Sequence, residues 1–170
     1  MEELKGGDIG DFNIVPGYIH PTYKFIEEGL IPPAHSIQIG MRGSLYDPNE
    51  HKIAADLGML LVPGHRVHEM GLPAIIKMIK ERVGDKPCFL TFDIDFVDPA
   101  YAPGTGTPEV GGFTSYETLT ILRNLTELNY VGFDIVEVLP AYDSEEITAY
   151  LAANIVFEYL SILAVKKRNF

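Results

Sequence analysis

The chain has 170 residues, 46% of them hydrophobic and 11% aromatic, with no low-complexity stretch, so it is long enough to bury one sizeable core and is expected to form a single domain over 1–170. Its formal net charge of −11 argues against a nucleic-acid partner, which is normally met by a basic stripe that neutralises phosphates. The polar start Met1-Glu2-Glu3-Leu4-Lys5 has no apolar run of the kind a signal peptide needs, and the single cysteine, Cys88, fits a reducing, cytoplasmic setting in which it enters a strand as a small hydrophobe.

In chain order, the first thirty-odd residues are rich in glycine and proline (Gly6, Gly7, Gly10, Pro16, Gly17, Pro21) and hold one short helical candidate, Thr22 to Glu28. An abrupt join follows at Gly29 to Pro33. From about Ser36 onward, short apolar runs alternate with helix-period segments, the pattern of βαβ units and a parallel sheet. Ser36 to Gly40 and Met59 to Val62 are the first strand candidates, separated by a helix that Asp47-Pro48-Asn49-Glu50 announces with an N-cap carboxylate and proline at N1. His65-Arg66-Val67-His68 reads as a solvated loop, and His35 and His51 as surface residues at element starts. Pro73 opens a helix running to about Val83 and stopping at Gly84-Asp85. Cys88 to Phe92 and Val131 to Ile135 are the remaining strands, with the capping box Thr114-Ser115-Tyr116-Glu117 between them. Asp143-Ser144-Glu145-Glu146 starts a long final helix whose apolar part, Tyr150 to Val165, contains Asn154, Glu158 and Ser161 and falls short of the roughly 20 residues of a membrane span, so it reads as core-facing. Four strands are few for a doubly wound sheet, so part of the fold is expected to be missing.

The chemistry gathers after the third strand. In Phe89-Leu90-Thr91-Phe92-Asp93-Ile94-Asp95 an apolar run ends in two carboxylates two positions apart, which strand alternation would point to one side. Two such acids at the C-terminal end of a strand repel unless a cation lies between them, and a divalent metal is the natural occupant. Asp98, beside Pro99, reads only as a turn cap. The following loop, Asp98 to Gly112, is built of glycine, proline and threonine, which lets backbone approach a ligand closely. It has no lysine and no phosphate-loop pattern.

The run D-I-D-x-x-D-P-x-x-x-P-G-T-G-T-P-E-x-G-G resembles the second metal motif and substrate loop of the ureohydrolases, the arginase and agmatinase family. Tyr130 to Asp143 and His35 to Gly43 are similar to the same family, so the likeness covers roughly Glu27 to the C-terminus, and Pro103 to Thr107 with Ala141-Tyr142-Asp143 gives it an agmatinase-like flavour. The resemblance implies a three-layer α/β fold with a mainly parallel sheet, here incomplete, with 1–30 as an N-terminal segment and 31–170 as the C-terminal part. It implies hydrolysis of agmatine or a similar guanidino compound to urea and an amine, a pair of Mn2+ ions with Asp93 and Asp95 among their ligands, a proton-relaying histidine, and assembly into trimers or hexamers. Glu137 would receive the substrate guanidinium, with Thr107 supporting it; a carboxylate after an apolar strand offers two acceptors to that planar cation.

The family's G-G-D-H-S and D-A-H-x-D segments, which supply the other metal ligands, are not found: Gly6-Gly7-Asp8 is followed by Ile9. Two registers remain for the N-terminus. In one, Tyr18-Ile19-His20-Pro21-Thr22 replaces an H-G-T segment and His20 relays protons. In the other, Gly7 to Ile19 matches the region ahead of the first metal motif, and Gly29-Leu30 marks an internal deletion. The second is favoured, and with it poor or no agmatine hydrolysis by this chain alone. Two other readings compete: a catalytically dead binding or assembly subunit, and a phosphatase using its D-x-D as nucleophile and acid, to which the glycine-threonine loop is foreign.

Overall fold

The computed structural model describes residues 25, 26, 28–44 and 50–168, so His20, the two N-terminal registers and the cap at Asp47 to Asn49 lie outside the described residues. The chain divides into two compact units, one made of the described residues before Ile39 together with Ser44–Leu61, the other of Ile39–Gly43 and Val62 onward.

In the first unit the helical residues Phe25 and Ile26 end at Gly29, whose φ of 72° only glycine adopts without cost. Leu30 N–H donates to Phe25 O at 2.8 Å and Gly29 N–H to Ile26 O at 3.0 Å, the paired bonds of a Schellman end. The join at Gly29-Leu30 is therefore a well-formed helix terminus. Helix α1 (Glu50–Asp56) ends the same way at Gly58, with Met59 N–H on Ala54 O at 3.0 Å. These two reversals bring Ile26, Ile31, Ala54, Leu57, Met59 and Leu61 into one small apolar cluster. Strands β1 (Ile37–Ile39) and β2 (Leu60–Val62) pair with each other, close to their expected bounds.

The second unit contains α2 (Gly64–Met70), α3 (Leu72–Val83), β3 (Pro87–Asp93), α4 (Ser115–Arg123), β4 (Asn129–Val136) and α5 (Ile147–Arg168). The H-x-x-H segment expected as a loop is helix α2; Pro63 precedes it and Gly64 opens it, so Val67 turns inward and is fully buried. α3 begins with proline in its first turn and stops at Gly84, whose N–H caps Lys80 O. α4 carries the expected capping box, with Thr114 and Glu117 satisfying each other's backbone N–H groups.

β3 and β4 run parallel, with Leu90 opposite Phe133, Phe92 opposite Ile135 and Asp93 opposite Val136. Alternation sends Leu90, Phe92, Phe133 and Ile135 to one face, where they pack with Leu122 of α4 and Leu151, Ala152 and Ile155 of α5. Phe89, Thr91 and Val131 are exposed. This is an α/β arrangement with one covered sheet face among the described residues, so the second helical layer of the expected three is not among them. Residues Ser144–Lys167 are long and apolar enough to cross a membrane by length and composition alone. α5 nevertheless packs on β4, through Tyr159 stacked on Phe133 at 4.5 Å, and is tied to α4 by Glu158 paired with Arg123.

Candidate metal and substrate site

Asp93 is the last residue of β3, and the strand ends there. Ile94–Phe96 form a 3-10 turn, so period-two alternation is not what brings Asp95 beside Asp93. The turn does it: Asp95 N–H donates to Asp93 Oδ1 at 3.0 Å, an Asx-type bond that folds the second acid back over the first. Burial, then the charges of Asp95 and Glu137, push the Asp93 carboxyl up to about 7, against the pull of the Asp95 N–H.

Glu137 follows β4 directly, one residue beyond the partner of Asp93, at φ 64°. The parallel pairing thus sets three acids at the C-terminal ends of adjacent strands, where open α/β sheets build their sites.

Thr107 differs from its expected role. Its hydroxyl donates to Asp95 Oδ2 at 3.2 Å, so it steadies the acid pair and not Glu137. The segment after Glu137 is held by the loop backbone instead, through Leu139 N–H on Gly104 O at 2.8 Å. Gly104 N–H in turn donates to the Thr148 hydroxyl at 2.8 Å, docking the loop on the first turn of α5.

Asp98 caps turns, as its proline neighbour suggests, and more. One carboxylate oxygen accepts from Ala100 N–H, the other from Gly111 and Gly112 N–H at 2.9 and 3.0 Å, so the start of the loop grips its end. Those bonds, the Ala100 one foremost, hold the Asp98 carboxyl below the usual carboxylate range. Beneath this neck the rings of Phe96 and Phe113 stack at 4.2 Å, and His68 stacks on Phe113 at 4.4 Å with its Nε2 3.1 Å from Gly111 O. His68 therefore braces the neck while remaining exposed, as expected of it. Arg42, quoted above only as part of a resemblance, donates to the carbonyls of Asp95, Val97 and Glu109. A single arginine between Gly40 and Gly43 was the only signal for it in the sequence.

The hard oxygens of Asp93 and Asp95, crowded enough to raise one of them, suit a divalent cation. A two-ion centre asks for more, and among the described residues no group of three or more His, Cys, Asp or Glu side chains gathers to hold a metal.

The sequence profile of the arginase family matches residues 16–161. The agmatinase of Photorhabdus laumondii is 49% identical over 146 residues, 86% of this chain and 45% of that protein, and that of Enterobacter sp. (strain 638) is 48% identical over 145 residues, 85% and 45%. This chain spans about half the length of the curated relatives it matches. Among solved structures, a hypothetical agmatinase from Burkholderia thailandensis superposes with a TM-score of 0.79 at 42% identity, covering 88% of this chain and 45% of that one. Proclavaminate amidino hydrolase from Streptomyces clavuligerus gives 0.80 at 43% identity, covering 84% and 47%.

Proposed function

Because the chain belongs to the arginase family, we propose that its strand ends form part of an agmatinase-like ureohydrolase site, which splits a small guanidino compound such as agmatine with water into urea and an amine. The observation that carries this reading is the crowding of Asp93, Asp95 and Glu137 at the ends of two adjacent parallel strands, enough to lift Asp93 to about 7. Asp93 and Asp95 offer oxygens to a divalent cation, for which manganese is the family expectation, and Thr107 orients Asp95. A cation bound there would supply a water acidified enough to react near neutral pH. Glu137, exposed at its strand end, presents two acceptors to the guanidinium. A cytoplasmic setting belongs to the same reading, supported by an unpaired Cys88.

A second reading has its own observation. The absence of a three-ligand group among the described residues favours a binding or assembly subunit that keeps the guanidine-recognising half and has lost turnover. Titrating the purified chain with Mn2+ by calorimetry and assaying urea from agmatine separates the two. The expected result is weak Mn2+ binding abolished by Asp95→Asn, with little or no urea. Two bound ions together with urea release would end the subunit reading, and no Mn2+ binding at all would overturn the metal-site proposal.

A further inference from the structure

Arg42 lies on the strip Ile39–Gly43 that joins the second unit, and its guanidinium reaches across the loop neck. Nη2 donates to the carbonyl of Asp95, to Val97 O at 3.3 Å and to Glu109 O at 2.9 Å; Nε donates to Glu109 O at 3.2 Å and Nη1 to Gly40 O at 3.4 Å. All of these acceptors are backbone carbonyls, and the planar fork of an arginine is the side chain that can span several at once. One acceptor belongs to the metal-ligand candidate itself, another follows its turn, and the third lies at the far end of the glycine-threonine loop.

The packing around it leaves little freedom. A Cβ on Gly112 would come within 2.8 Å of Arg42 Nη2 and 2.5 Å of Asp98 N, and one on Gly43 within 2.6 Å of Glu109 Oε1. The aliphatic stem of Arg42 rests against the start of α2, where Gly64 approaches its Cβ and Cδ at 3.6 Å from an ideal Cβ. We propose that Arg42 is a positioning residue: by joining the carbonyls of Asp95 and Val97 to that of Glu109, it fixes the turn that aims the Asp95 carboxylate and holds the Thr107 hydroxyl against it.

This rests on the ureohydrolase reading for its functional meaning, but the pin itself is a separate physical claim. Arg42→Ala removes the fork, and Arg42→Lys keeps the charge without the geometry. Both are compared with the parent chain by amide hydrogen exchange over Asp95 to Gly112 and by Mn2+ titration, with circular dichroism as the check on folding. Exchange in that segment is expected to quicken by about tenfold or more in Arg42→Ala, less in Arg42→Lys, while α3 and α5 stay as protected as before. Mn2+ affinity is expected to fall by about ten- to a hundredfold, as it does when a group that orients a ligand is lost. Unchanged exchange in the segment overturns the pin whatever the metal does. Quickened exchange in a chain that never bound Mn2+ keeps the pin and overturns the metal reading instead. Should neither variant fold, the parent chain still decides: slowly exchanging Arg42 Nε and Nη protons in its nitrogen-15 spectrum support the pin, and protons exchanging as in free arginine refute it.

Discussion

Glu137 holds its backbone at φ 64°, a region in which a side chain costs about 1–3 kcal/mol, at the position proposed above to meet a guanidinium. Glu137→Gly should therefore stabilise the chain, by about 1 kcal/mol in urea denaturation, while abolishing guanidine binding measured by calorimetry. Asp93 carries a related tension in its proton. Its folded pKa of about 7 lies above the roughly 3.9 of an unfolded aspartate, so the folded state holds the proton more tightly. The contribution is complete at acid pH below the unfolded value and is lost as pH rises toward 7. The metal-free chain is expected to lose thermal midpoint between pH 5 and pH 8 for this reason, as read by thermal melts across the range, and Asp93→Asn should flatten that loss. Cys88 behaves as a packed hydrophobe: burial pushes its thiol up, which agrees with the unreactive role its place in an apolar run implies.

The elements around the site are held at their ends. Asp143 lies several residues before α5, yet its carboxylate accepts from Thr148 and Ala149 N–H at 2.9 and 2.8 Å, reaching over the turn at Glu145 and Glu146. Asp143→Ala is expected to cost about 1–2 kcal/mol in chemical denaturation and to fray the first turn of α5. Gly104 meets the same residue closely: a Cβ there would lie 2.6 Å from Asp143 Cβ and 2.9 Å from its Cα. Gly104→Ala should push the loop off α5 at a cost of about 1–3 kcal/mol, and free Leu139 N–H for faster exchange. Strand positions and the α4 capping box were legible in the sequence because each rests on local pattern, whereas the nearness of Asp95 to Asp93 comes from a turn and not from the alternation expected of it. The partner of Thr107, the brace by His68 and the pin by Arg42 were not, since each depends on residues far apart in the chain being brought together. The helix at His65 was missed because a seven-residue helix leaves little periodicity to read.

At the scale of the molecule, the β3–β4 pair presents one face without described cover, and Phe89 and Val131 stand 59% and 66% exposed on it. Tyr130, edge-on to Tyr159 on the α5 side, and Asp134 each bury a side-chain oxygen with no hydrogen-bond partner among the described residues. The relatives, at about twice the length, have material for such cover. The chain purified alone is expected to self-associate with rising concentration in sedimentation velocity, and Val131→Lys to shift it toward the monomer.

The tie between Arg42 and the loop neck also has an entropic side. Its acceptors at Asp95 and Glu109 lie 53 and 67 residues further along the chain, so closing it carries the entropy of a long loop. A fragment begun just after Val62 would keep Asp93, Asp95, Thr107 and Glu137 and still lack Arg42. On the reading proposed above, the turn that aims Asp95 is completed from the N-terminal side of the chain, by a side chain that reaches only backbone there.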